Sequence, residues 1–579
     1  MTEGEYTTSA AFLRALRAGG VSYLFANLGS DHSGFIEAYA RARQDGTAEW
    51  FPAPIICPHE SVALSAAQGY AQITGQAQAV VVHVECGTQN LGGMLHNAAK
   101  GRVPALIFAG ASPYTQRGEL PGSRNEFIQW IQDVPDQRGI VRGYTKYDNE
   151  IRTGRNVDQL VHRALQIAHS EPGGPVYLMG AREVMEEQLD PAVLGTAPVG
   201  FTPVASAALA PPVVEMIARA LAGAQRPLVI TSYLGRRPET VAGLVELCES
   251  LAIPVLESVP GYVNFPADHP LHLGYQWNTP RQNPTLAAAD VVLVLGSDVP
   301  WIPTRNRPAD NARVFLIDTD PVKERTPLWH VPAECFARAE LGTALGQLTE
   351  FVRGHRLAVD TDAIAARLRG VHAEHDELLA AANERERPDG ELITPEYLTA
   401  CVREAIDENT VVLNEGISNY QVINEHLRAN RPGSVLTSGG GSLGWYGGAA
   451  LGVKLARPDQ TVVSLVGDGT YLFGVPASAQ WVARRYDLPS LTVIYDNQGW
   501  KSPKLSTVGV HPHGVAAQHN DFGISFAPEA DLPGIARAAS GAWARTVSRA
   551  DELPAAVKEA FAAVRAGQPA VLSAQLPDA

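Results

Sequence analysis

The sequence predicts an α/β protein of three doubly wound parallel-sheet domains, on two observations. Apolar runs rich in Val, Ile and Leu alternate with longer helical patterns along most of the 579 residues, and two stretches break that rhythm. The runs at 79–84, 105–109, 228–231, 291–295 and 462–466 read as buried strands, most of them followed directly by Gly or Ser. The first break, roughly 190–212, carries prolines at 191, 198, 203, 211 and 212 among small residues and reads as a stiffened linker. The second, about 352–387, is helical and charged and ends at Pro388-Asp389-Gly390. One core stops growing at roughly 250–300 residues, so several domains are needed. They are expected over 1–190, 205–350 and 388–579, with no short-period repeat but with room for variations on one sheet topology.

Composition excludes several classes of function. Hydrophobic residues at 45% and charged residues at 18% are ordinary for a globular chain. No run approaches the roughly 20 apolar residues of a membrane span. Residues 1–6 are acidic and lead into an amphipathic stretch without a cleavable apolar core, so a cytoplasmic location is expected by default. A net charge of −15 argues against nucleic acid, which is bound by clustered Lys and Arg. Cys57, Cys86, Cys248, Cys335 and Cys401 lack CxxC spacing and read as buried thiols, with no zinc site or disulfide framework indicated.

Chemistry concentrates in two strand ends. Val466-Gly467-Asp468-Gly469-Thr470 closes one apolar run, and Asp496-Asn497-Gln498-Gly499 closes another, with Asn497 standing 29 residues after Asp468. In an open α/β sheet both carboxyl ends lie on one edge, where ligands bind. An Asp carboxylate, an Asn amide oxygen and a backbone carbonyl are hard donors that suit Mg²⁺ held together with phosphate oxygens. Gly467 and Gly469 let the backbone approach a diphosphate closely.

This Gly-Asp-Gly…Asn pattern resembles the metal and diphosphate signature of thiamine-diphosphate-dependent enzymes, slightly longer than its usual form and with Asp496 where most relatives carry a first asparagine. The resemblance implies that Asp468, Asn497 and the Gly499 carbonyl hold Mg²⁺ and that Thr470 contacts the diphosphate. Gly439-Gly440-Gly441-Ser442-Leu443-Gly444 is similar to the family's glycine-rich turn. There the Gly441 carbonyl would accept from the aminopyrimidine and Leu443 would wedge the cofactor into its bent shape. Pro58-His59-Glu60-Ser61 is similar to the glutamate segment, in which Glu60 exchanges a proton with the pyrimidine and thereby activates the thiazolium. Runs at 289–296 and 315–321 are typical of the middle domain of the pyruvate oxidase/acetolactate synthase-like branch. The three domains would then be pyrimidine-binding, middle and diphosphate-binding.

Within that branch the resemblance runs toward benzoylformate decarboxylases. Asn27-Leu28-Gly29-Ser30 is similar to their substrate loop, which implies a substrate-contacting hydroxyl at Ser30. His83 follows Glu60 by 23 residues, the register of their proton-relaying histidine. Asn414-Glu415-Gly416-Ile417-Ser418 reads like their diphosphate-side loop, placing Ser418 at the cofactor. Two departures stand out: residues 299–304 hold no second imidazole, and the loop after Gly499, with Trp500, His511 and His513, has no counterpart. Trp301 and the Trp500 loop are expected to add substrate contacts, His511 and His513 to lie on the surface, and Asp31-His32 to be either proton carriers or a solvated turn.

The expected activity is cleavage of a carbon–carbon bond next to a carbonyl in a 2-oxo or 2-hydroxy acid derivative. An acetolactate-synthase-like carboligase, a 2-hydroxyacyl-CoA lyase and a non-catalytic binding protein on the same fold are the alternatives. FAD in the middle domain is the less favoured cofactor, since 231–237 gives no clear dinucleotide fingerprint. The resemblance also implies a homodimer or homotetramer with sites shared between chains, and the small residues of 444–450 suit either that contact or internal packing.

Overall fold

The computed structural model describes residues 6–190, 200–354 and 360–577. The acidic residues 1–5 and the linker prolines 191 and 198 lie outside them. Three six-stranded sheets succeed one another, with parallel pairing throughout. The N-terminal sheet comprises β1 (Tyr23–Ala26), β2 (Ala53–Ile56), β3 (Gln78–Val82), β4 (Ala105–Ala111), β5 (Tyr147–Ile151) and β6 (Pro175–Ala181), in the order β2-β1-β3-β4-β6-β5. The middle sheet comprises β7 (Pro227–Thr231), β8 (Val255–Ser258), β9 (His272–Gln276), β10 (Val291–Leu295), β11 (Arg313–Asp318) and β12 (Cys335–Arg338), in the order β12-β11-β10-β7-β8-β9. The C-terminal sheet comprises β13 (Thr410–Glu415), β14 (Val435–Leu436), β15 (Thr461–Gly467), β16 (Leu491–Asp496), β17 (Trp543–Val547) and β18 (Ala570–Gln575), in the order β14-β13-β15-β16-β18-β17.

The first and third sheets therefore share one strand order, and the middle sheet follows the other common doubly wound order. This topology puts a switch point between β1 and β3 in the N-terminal sheet and between β13 and β15 in the C-terminal one. The segments with the chemical motifs leave the carboxyl ends of those strands and their neighbours.

The helices that follow β2 and β14, Glu60–Thr74 and Trp445–Ala456, occupy equivalent places in the two like domains and pack on each other. Their approach is closer than side chains allow: a methyl group on Gly452 would lie 1.9 Å from the Ala66 carbonyl oxygen, and one on Gly69 would lie 2.3 Å from that of Ala449. Of the small residues of 444–450, Gly448 and Ala449 thus serve a contact within one chain, between its two outer domains, while Gly444 and Gly447 pack inside their own domain.

The charged stretch after the middle sheet is a helix, Thr361–Arg385, but it is no free linker. Arg367 donates to the carbonyls of Ala224 (2.9 Å) and Ala252 (3.1 Å), and His375 Nδ1 lies 2.8 Å from the His272 carbonyl oxygen, which docks the helix on the middle domain. Long charged side chains can satisfy buried carbonyls as well as face water, so composition alone misassigns such a helix.

Candidate active site

At the C-terminal switch point, β15 ends at Gly467 beside Tyr495 of β16, so Asp468 and the 496–499 turn emerge together. Asp468 is buried; Oδ1 accepts from the Gly469 amide (2.7 Å) and Oδ2 from the Gly499 amide (2.9 Å). Burial pushes its acid constant up to about 6, and the nearby Asp496 carboxylate pushes the same way. A carboxylate in that condition is stabilised by a cation. Asn497 is buried as well, and its Nδ2 has no partner. Asp496, which lines the same small cavity as Asp468, accepts from Ser573 Oγ (2.9 Å), a bond that helps a second carboxylate to be tolerated here. Among the described residues no group of three His, Cys, Asp or Glu is arranged to hold a metal ion, and the candidate donors at this edge are the Asp468 carboxylate, the Asn497 amide oxygen and backbone carbonyls, the hard set that suits Mg²⁺.

Around these donors the turns leave room. Nothing lies within 4 Å of where a side chain on Gly441 would start, and Gly467 faces only Thr470. Leu443 is half-buried in its turn rather than in a core, Ser418 is half-buried in the Ile417–Asn419 turn after β13, and Thr470 is buried. Ile417 holds φ at +53°, a left-handed conformation that a β-branched residue avoids unless its surroundings impose it. Gly469 is covered: the Trp500 ring would lie 2.3 Å from a methyl there, and Phe526 meets that ring edge-on at 4.9 Å. Trp500 thus packs over the turn at Gly469. His511 and His513 are exposed, as expected.

The N-terminal switch point carries the other group. Glu60 opens the Glu60–Thr74 helix, buried, with Oε2 accepting from Asn90 Nδ2 at 3.1 Å. His83 directly follows β3, which ends at Val82, two residues earlier than the apolar run suggests. Its Nδ1 lies 2.6 Å from Asp31 Oδ1 and its Nε2 lies 2.9 Å from Gln132 Oε1. Hydrogen bonding to Asp31 raises the imidazole's acid constant against the opposing effect of burial, and Glu60 adds to the rise. Asp31 and His32 are both buried, so the solvated turn considered for them does not exist. Ser30 is half-buried beside them, with its carbonyl accepting from Arg182 at 3.3 Å.

One expectation is corrected. Trp301 is buried in the middle-domain core with Leu228 and Leu316, so it is not a substrate contact. The carboxyl edge of the middle sheet, where a dinucleotide would lie, is crossed by protein: Arg102 binds Asp298 in bidentate fashion (2.7 and 3.1 Å), and Asp318 pairs with Lys323 (2.6 Å) and Tyr233. A cavity of 520 Å³ opens between the N-terminal and middle domains, but its Arg236 and Arg237 are both committed to Glu171. It is remote from the donors above in sequence and in chemistry.

Three residues here had no role assigned from the sequence. Glu415, fully buried at the end of β13, accepts from the Tyr446 (2.8 Å) and Trp445 (3.2 Å) amides and so caps the helix behind the glycine-rich turn. It lies inside the 414–418 segment, and a carboxylate ending an apolar strand was the signal that singles it out there. Asn90 and Gln132 gave none.

Fold and site together define a class: a three-sheet α/β protein whose two like domains bring a buried glutamate to one switch point and a buried aspartate, an asparagine and glycine-rich turns to the other. The chain matches the thiamine pyrophosphate enzyme N-terminal TPP binding domain over 6–140, the central domain over 214–338 and the C-terminal TPP binding domain over 416–574, and it belongs to that family of thiamine-diphosphate-dependent enzymes. It is 26% identical to a sulfoacetaldehyde acetyltransferase of Castellaniella defragrans, covering 96% of this chain and 91% of that one. It is 24% identical to a benzoylformate decarboxylase of Pseudomonas aeruginosa, covering 96% and 97%. The structure of a 4-hydroxybenzoylformate decarboxylase from Rhodococcus jostii RHA1 superposes with a TM-score of 0.78 at 23% identity over 99% and 100% of the two chains, a likeness of fold.

Proposed function

We propose that the chain uses thiamine diphosphate with Mg²⁺ to decarboxylate a 2-oxo acid, releasing an aldehyde. One observation carries the reading: the buried Asp468 and Asn497 side chains lie at one switch point, and the buried Glu60 lies at the equivalent one. When bound, the cofactor supplies a carbon nucleophile and an electron sink. The protein's tasks are then to hold, to exclude water and to move protons. Asp468, Asn497 and the Gly499 carbonyl would hold Mg²⁺. Gly467, Gly469, Thr470 and Ser418 would line the diphosphate, and Gly441 and Leu443 the pyrimidine side. Glu60 would exchange a proton with the pyrimidine nitrogen, Ser30 would bind the substrate carboxylate, and His83 would shuttle a proton at the reacting carbon. A carboligase that replaces the proton with a second carbonyl compound is the other reading, favoured by the match to an acetyltransferase.

Because protein donors supply only part of a Mg²⁺ shell, metal and diphosphate are expected to bind jointly. Calorimetry should show tight thiamine diphosphate binding with Mg²⁺, its loss under EDTA, and its loss in Asp468→Ala. Equal affinity in all three conditions refutes the assignment. Product analysis with pyruvate, benzoylformate and a 2-hydroxyacyl-CoA then separates decarboxylase, carboligase and lyase.

A further inference from the structure

We infer that Asp31 is a positioning residue that keeps His83 doubly protonated, so that His83 enters the reaction as a proton donor rather than as a base. The inference rests on the proposed decarboxylase reading and adds a residue and a direction to it.

The geometry favours a doubly protonated His83. One ring nitrogen lies 2.6 Å from Asp31 Oδ1 and the other 2.9 Å from the Gln132 amide; with Oε1 turned to the ring and Nε2 to Cys86 Sγ, only an imidazolium donates to both. Asp31 is itself fixed: Oδ2 accepts from the Val84 amide at 3.1 Å, on the residue that follows His83 in the chain. The pair sits in a cradle made by two glycines on either side of β3, Gly29 in the turn after β1 and Gly110 in β4. A methyl group on Gly29 would lie 2.0 Å from His83 Nδ1, and one on Gly110 would lie 1.8 Å from Asp31 Oδ2.

The remaining groups around His83 agree in sign. His32 is fully buried, its Nδ1 accepts from the Gly29 amide at 3.0 Å, and burial lowers its acid constant, so it stays neutral. Burial alone would raise Asp31, yet the hydrogen bonds from His83 Nδ1 (2.6 Å) and the Val84 amide (3.1 Å) favour its ionised form. Glu60 from its own helix adds negative charge. On the helix after His83, Glu85 accepts from Cys86 (2.9 Å) and Gln89, while Gln132 Nε2 also reaches Cys86 Sγ at 3.4 Å. No cation among these opposes a charge on His83. The Asp31–His83 pair is neutral when charged internally, which suits a half-buried site.

In the step this serves, the His83 Nε2–H bond breaks, its electron pair stays on the ring, and the proton forms a C–H bond at the carbon that has lost CO₂. The imidazole left behind keeps its bond to Asp31 and recovers a proton from water. A site that begins with this acid favours protonation over capture of a second carbonyl compound.

The test uses the holoenzyme labelled with ¹³C at histidine Cε1, with His83→Asn identifying the resonance. His83 should titrate above the ordinary histidine midpoint of about 6.5 in the wild type and at least about one unit lower in Asp31→Asn. The alkaline limb of kcat for a 2-oxo acid should move down with it, so that at pH 8 kcat falls at least about tenfold while KM changes little. Exchange of deuterium at the cofactor's C2, which depends on Glu60, should be unchanged. A wild-type midpoint at or below 6.5, which needs no variant, overturns the inference, and so does a midpoint unmoved in a folded Asp31→Asn. If the midpoints shift as expected but no 2-oxo acid is turned over, the decarboxylase reading fails and the pairing stands.

Discussion

Glu415 is an acid placed where ionisation is costly. Burial pushes its acid constant up to about 8, against the helix amides of Tyr446, Trp445 and Gly444 that favour the charged form. The folded chain keeps this proton through a range in which the unfolded chain has already released it, so stability is fully present below about pH 4.5 and falls as pH rises to 8. In urea unfolding of the cofactor-free protein, the wild type should lose on the order of 1 kcal/mol per pH unit across that window from this group. Glu415→Gln should flatten the slope, although Asp468, raised for the same reason, leaves part of it in place. An unchanged slope in the variant refutes the assignment. The same residue shows why chemistry and stability coincide here: its carboxylate ties the end of β13 to the helix that begins after Leu443.

The element on which the molecule turns is the crossing of the Glu60–Thr74 and Trp445–Ala456 helices. Apolar periodicity identifies both as helices, yet glycine at 69, 448 and 452 lowers helix propensity by about 1 kcal/mol each relative to alanine. The close backbone approach explains the sacrifice, because each glycine stands where a methyl group would enter the partner helix. At Gly452 the obstacle is the Ala66 carbonyl and the Tyr70 amide, which cannot swing aside as a side chain can. Gly452→Ala should therefore destabilise the chain by about 1–3 kcal/mol in urea unfolding, despite the gain in propensity. A stabilised variant would show that the crossing is looser than described.

For the whole molecule, the two switch points belong to domains that one chain joins through those helices, but each domain also leaves large apolar side chains in water near its site segments. Phe127 and Ile131 of the N-terminal domain are exposed by 75% and 70%, and Phe473 follows the Asp468 turn at 57%. Apolar exposure of this kind marks an interaction face, and a symmetric pair of chains could close the cofactor cleft with it. We expect a homodimer whose sites combine Glu60 of one chain with Asp468 and Asn497 of the other. Mixing inactive Glu60→Gln and Asp468→Ala chains should then restore about a quarter of wild-type activity if subunits exchange freely. Complementation that fails despite proven exchange, or full activity in a sedimenting monomer, excludes shared sites.

The sequence by itself determined the α/β class, the three sheets and the turns that carry Glu60, Gly441, Asp468 and Asn497. These are local statements: strands and glycine turns are written in short windows, and a signature at fixed spacing survives whatever packs around it. Tertiary structure alone decided that Asp31, far from His83 in the chain, is its partner, and that Trp301 belongs to a core. It also decided that the helix after the middle sheet is docked and that Gly448 and Ala449 serve a contact inside the chain. Each of those depends on which strand ends the topology brings together, and burial then converts an ordinary carboxylate or imidazole into a group with a fixed charge and a single partner.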